Sequence, residues 1–218
     1  MAFEELAQAG KKHFPDLEIK FKDKSLFMKI LGILMFFNKG FMTNYTTTIG
    51  SSVYFPSESF LKSAQISSMS VLLHELVHIY DSKKINGLLF SFLYLFPQIL
   101  VLLCLPLFFL ITWKVMLPIT LLCLLPLPAY FRMLFERRAY MVSLYCMNEL
   151  SKKYKFKYDV DNSAKEFLKY FKGAFYYFMW IFPDLDKKMI DAAEKIKNNQ
   201  KPYEDKVFDI IDDLLTVC

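Results

Sequence analysis

Histidine and cysteine are scarce in this chain, and one long stretch is almost without charge. The 218 residues include three histidines and four cysteines. Cys104 and Cys123 fall inside an apolar stretch, and Cys146 and Cys218 show no pairing pattern. A disulfide framework is therefore excluded, and the cysteine usage suits a reducing compartment. The start, Met1-Ala2-Phe3-Glu4-Glu5, lacks the basic residues and apolar run of a signal peptide, so no secretory leader is expected. Internal repeats and low-complexity linkers are absent. No nucleic-acid-binding motif is present, and a net charge of +5 gives only weak support to an anionic surface partner. From Gly87 to Phe131 the sole charged residue is Lys114.

Two of the three histidines stand together in His74-Glu75-Leu76-Val77-His78. At i and i+4 they project from one face of a helix and can share one tetrahedral metal. Glu75 lies about 100° further round the helix, where a carboxylate reaches a water on the metal rather than the metal itself. That is the zinc-hydrolase pattern: the metal lowers the pKa of water, and the carboxylate takes its proton and passes it to the leaving group. Such a short motif also arises by chance. Here, however, it sits in a run, Val71 to Tyr80, that reads as a buried helix, where two histidines and a glutamate are costly without a partner. Ser67 and Ser68 offer N-caps for a helix running to about Ser82.

A catalytic zinc site needs a third protein ligand and keeps a fourth position for water. Glu136 is the best candidate, in Phe135-Glu136-Arg137-Arg138-Ala139-Tyr140 on a second helical pattern, roughly 130–150. Asp81, three residues beyond His78, is the rival; a carboxylate one turn along more often orients a histidine ring. Arg137 and Arg138 read as helix-surface charges.

With these two motifs the sequence resembles the gluzincin branch of the zincin metallopeptidases. In that branch a glutamate on a later helix completes the site, commonly followed three positions on by a small residue, the place of Ala139. The resemblance covers about forty residues and is nearest to small zincin-like proteins of bacteria and their phages. It implies His74, His78 and Glu136 as ligands of Zn2+ and Glu75 as general base. The short chain and the apolar block between the motifs depart from the best-known members.

That apolar block divides into a first half, 87–113, long enough to cross a bilayer, and a second, 115–131, at the short end of the range. Thr112-Trp113-Lys114 marks the turn, and Pro97, Pro106, Pro118, Pro126 and Pro128 would kink the helices. A transmembrane hairpin returns both motifs to one side. Flanking Lys83, Lys84, Arg132, Arg137 and Arg138 put both termini and the metal site on the cytoplasmic face. A soluble protein with a covered hairpin is the alternative.

Elsewhere, 26–37 reads as a core or interfacial helix too short to span. Residues 45–56 read as a β-hairpin, which by resemblance occupies the place of the zincin edge strand. Lys152, Lys153, Lys155 and Lys157 form a basic stretch suited to lipid headgroups or to solvent. Residues 167–180 are rich in aromatics; Tyr140, Tyr176 and Tyr177 are weak candidates for oxyanion stabilisers. Residues 184–199 and 202–217 read as two amphipathic helices.

The expected fold is mainly α, of α+β class. It is a zincin-like domain with a small β-hairpin or sheet, built from 1–86 and 132–218 around an inserted hydrophobic hairpin, 87–131. The expected function is a membrane-associated zinc metallopeptidase acting on peptide or protein substrates, with the lipid bilayer as partner and no nucleic acid. The alternative is a non-catalytic zincin-like structural or interaction protein, for example a membrane-engaging virion component.

Overall fold

The computed structural model describes residues 2–35, 38–100, 112–124, 129–173 and 182–218. The chain opens with α1 (Ala2–His13), β1 (Glu18–Phe21) and α2 (Leu26–Leu34). The hairpin β2 (Thr47–Ile49) and β3 (Ser52–Phe55) follows, then α3 (Glu58–Ser63) and α4 (Gln65–Ile85). Next come α5 (Gly87–Leu95), α6 (Trp113–Leu124), α7 (Tyr130–Tyr154), α8 (Val160–Lys172), α9 (Asp184–Lys197) and α10 (Val207–Val217). The mainly helical α+β expectation is met.

The expected hairpin is present, its turn made at Gly50, whose φ of +61° is one that residues with a Cβ rarely adopt. Sequence reading missed β1, which pairs parallel with β3 from Glu18↔Ser52 to Phe21↔Phe55. The sheet order is β1-β3-β2, so β2 is an edge strand.

α4 is the centre of the fold. From Ser68 to Ile79 every residue but Val71 is buried, as expected of a helix that is apolar all round. It starts three residues earlier than a Ser67 cap would give, after Ala64, with no side-chain cap. Ser67 and Ser68 lie inside the helix. α4 and α7 pack against each other more extensively than any other described pair of elements. Ala139 is fully buried, consistent with the close approach its small side chain permits.

α7 separates two apolar clusters. One joins α4 and one side of α7 to α1, β3 and α10, through Leu6, Phe55, Leu72, Val142 and Phe208. The other joins the opposite side of α7 to α8 and α9, through Leu144, Phe171 and Met189. Segments before residue 86 and after residue 132 thus share one core. Each buried Leu or Phe contributes about 1.5–3 kcal/mol of burial free energy.

The apolar block differs from expectation. α5 has nine residues and α6 twelve. No helix among the described residues is long and apolar enough to cross a membrane. α5 stops at Leu95, where Phe96 turns extended ahead of Pro97, because proline disfavours helical backbone in the residue before it. The remainder of the expected hairpin, 101–111 and 125–128, lies outside the described residues. α2 is not a core helix: of its residues only Met28 is buried, while Leu26 and Ile33 are each 73% exposed. The C-terminal helices form nearly as expected, except that α10 begins at Val207, five residues later than 202, where the Asp205 carboxylate accepts from the Val207 amide at 2.9 Å. The basic stretch is partly engaged: Lys152 reaches Glu149 at 2.6 Å, and Lys153 donates to the carbonyls of Leu215 and Thr216 near the end of α10.

Candidate metal centre

His74 and His78 lie one turn apart on α4, their rings 5.0 Å apart centre to centre. Glu136 comes up from α7 to meet both. Its Oε2 is 3.5 Å from His74 Nε2, and its Oε1 is 3.5 Å from His78 Nε2. All three side chains are buried, and one ligand atom from each lies within 4.8 Å of the others. Ligands about 2.0–2.1 Å from a tetrahedral metal stand about 3.4 Å from one another, close to each of the two imidazole–carboxylate separations. Glu136 Oε2 is buried with no hydrogen-bond partner among the described residues, and the same holds for His78 Nδ1. A buried two-imidazole, one-carboxylate set with an orphaned carboxylate oxygen fits a divalent ion: this group could hold a metal.

The electrostatics reinforce the grouping. Burial works to raise the Glu136 pKa, but the imidazoles of His78 and His74 outweigh it and hold the carboxyl well below the usual carboxylate range. Burial likewise opposes a charge on His78; the Glu136 carboxylate prevails, and the imidazole is pushed up to about 8. Proton and metal therefore compete for the same lone pair.

The supporting contacts come from α7, β2 and α5, and a buried lysine follows β1. His74 Nδ1 is 3.0 Å from Ser143 Oγ, which donates its only proton to the Ala139 carbonyl at 3.2 Å. The serine must therefore accept from Nδ1–H, which leaves the Nε2 lone pair facing Glu136. On the edge strand, Thr48 Oγ1 donates to Glu75 Oε2 at 2.7 Å. From α5, the Tyr94 hydroxyl donates to Glu136 Oε1. Lys22, completely buried at the end of β1, donates to the Phe41 carbonyl at 2.7 Å. Burial lowers its pKa to about 8 against the pull of the Glu75 carboxylate.

Of the expected site residues, His74, His78 and Glu136 come together, and Glu75 sits beside them. Asp81 does not join them: its two oxygens accept from Arg138 at 3.0 and 3.1 Å, an ion pair that Asp205 shares at 3.2 Å. Arg138 is thus no loose surface charge. Tyr140 lays its ring edge against His74, centroids 4.8 Å apart, within an aromatic group that includes Phe167 and Phe171. Tyr176 and Tyr177 lie outside the described residues.

Sequence reading missed Thr48, Tyr94, Ser143 and Lys22. Ser143 carried a signal, since it lies seven residues after Glu136 on the same helical face. The others had none, because each contact depends on how distant segments meet. Comparison of the chain with protein-family models, with curated proteins and with solved structures found no match.

Proposed function

We propose that this chain is a zinc-dependent metallopeptidase of gluzincin type that works at a membrane surface. The observation that carries the reading is the convergence of Glu136 on both imidazoles across α4 and α7, with Glu75 one position from His74 and outside the ligand set. His74, His78 and Glu136 would hold the ion, and two nitrogens and one carboxylate suit zinc. A zinc ion there supplies a Lewis acid that polarises a peptide carbonyl and makes water acidic near neutral pH.

The chain's own residues do the rest. Glu75 accepts a proton from the attacking water and delivers it to the departing amine, the usual work of a general base that turns acid. Thr48 donates to one Glu75 oxygen, which leaves the other as the proton acceptor. Ser143 keeps His74 in the tautomer that presents Nε2. The edge position of β2 suits an extended peptide laid alongside it, close to Glu75.

Membrane contact is supported by apolar side chains left in the open. Leu88 on α5 is 86% exposed, and Leu26 and Ile33 on α2 are 73% exposed. On α2, Leu26, Phe27, Ile30, Ile33 and Leu34 are all exposed at helical spacing, and a contiguous exposed apolar face marks an interaction surface.

Glu75→Gln tests the reading. It should keep the metal and lose about 10²–10⁴-fold in peptide hydrolysis, the contribution of a positioned acid–base group. Unchanged hydrolysis would remove Glu75 from the chemistry. A metal-loaded wild type that cleaves no peptide would leave the non-catalytic zincin-like interaction protein as the account.

A further inference from the structure

The two oxygens of Glu136 are in different positions. Oε1 accepts the Tyr94 hydroxyl, whereas Oε2 is buried with no hydrogen-bond partner among the described residues. A carboxylate can bind a metal through one oxygen or through two, and the choice decides how many coordination positions remain. Two imidazoles, one carboxylate oxygen and a water would make a four-coordinate ion. With both carboxylate oxygens bound and the water kept, the ion would have five donors.

Tyr94 is itself held from two sides. Arg132 sits one turn before Glu136 on α7, and its Nε donates to the Tyr94 carbonyl at 2.8 Å. Its Nη2 donates to Gln98 Oε1 at 3.1 Å, and its guanidinium lies 5.3 Å from the centre of the Tyr94 ring. Arg132 is buried, and its charge meets a carbonyl at the C-terminal end of α5, where helix carbonyls lack partners. The ring also packs edge-on to His78, centroids 5.8 Å apart, and stacks with Phe90 at 5.9 Å. Few rotations of the phenol are compatible with this frame.

We infer that Tyr94 is a positioning residue that keeps Glu136 a one-oxygen ligand: it occupies Oε1, leaves Oε2 for the metal, and so holds the ion at four donors, water included. This rests on the metal site proposed above. It adds a division of labour between the carboxylate oxygens and gives α5, the first helix of the apolar block, a direct part in the centre. The outer side of the same helix carries Leu88, Leu89, Phe92 and Leu95, all exposed.

The test is the coordination number of the zinc-loaded full-length protein by X-ray absorption, with the visible spectrum of the cobalt(II)-substituted form as a second readout. Wild type should show about four donors at bonding distance, and Tyr94→Phe about five as Oε1 joins. The cobalt bands should weaken correspondingly, since five-coordinate cobalt absorbs less than tetrahedral cobalt. Arg132→Gln, which keeps the phenol but loosens its backbone, should show the same change in part, and it serves if Tyr94→Phe does not fold. Unchanged coordination in the variants, or five donors already in the wild type, would overturn the role of Tyr94 while leaving the metal site standing. A wild type that takes up neither zinc nor cobalt would overturn both.

Discussion

α4 and α5 adjoin in sequence and share a leucine-rich, apolar make-up, yet they treat their side chains in opposite ways. Leu72, Leu73 and Val77 on α4 are completely buried, whereas on α5 Leu88 is 86% exposed and Leu89 48%. α4 is enclosed by α1, α7 and the sheet, and its two imidazoles and carboxylates meet partners from those elements. α5 has one covered face, with Tyr94 and Phe90 turned to His78, and one open face. Apolarity alone thus has two uses in this molecule: in one helix it dries and fixes a polar site, and in the next it forms surface. The polar residues tell the two apart, because an internal apolar face that carries histidine and glutamate needs partners.

Cavity formation should sharpen this contrast most. Leu72→Ala is expected to cost about 2–5 kcal/mol in denaturant unfolding, whereas Leu88→Ala should stay within about 0.5 kcal/mol in detergent-free buffer. Similar losses at both positions would mean that the open face of α5 is covered in the folded protein. The Asp81–Arg138 pair comes next. Asp81→Ala should destabilise by less than the roughly 3–5 kcal/mol of a fully buried broken pair, because Asp205 retains Arg138. Its metal content should not change, and loss of metal in this variant would move the third ligand to Asp81.

A smaller effect is expected at Ser143. Ser143→Ala removes the acceptor of His74 Nδ1–H and should weaken metal binding about 10–100-fold in competition with a chelator. An unaltered affinity would show that the serine does not orient the ring. Lys22 should add a pH dependence. Its folded pKa of about 8 lies below the ordinary lysine value of 10.5, so between these two values the unfolded chain binds more protons. Stability should therefore rise with pH across that window in the wild type and lack this rise in Lys22→Met, measured as unfolding midpoints at several pH values. A parallel pH profile in the two proteins would place the Lys22 ammonium in a better-solvated setting.

The parts of the site legible in the sequence were those whose geometry is local. Two histidines at i and i+4 face the same way on any helix, and Glu75 takes its place from the same arithmetic. Glu136 was reached through the spacing of a family pattern, and its helix supplied the apolar context. Thr48 could not be reached in this way, because its approach to Glu75 depends on the hairpin register and on how the sheet sits against α4. Tyr94 was hidden in an apolar run whose hydropathy argued for a bilayer span, and proline ended its helix early. β1 escaped because four alternating residues signal little until a distant strand pairs with them. Asp81 and Arg138 could not be paired from sequence, since each resembles a surface or ligand charge until the other is seen beside it.

The central claim is that His74, His78 and Glu136 hold one metal ion, and metal content by mass spectrometry tests it most directly. Full-length wild type, purified and reconstituted with zinc, should carry about one zinc per chain, and Glu136→Ala should lose it. No zinc in the wild type, or the same zinc in Glu136→Ala, would contradict the account.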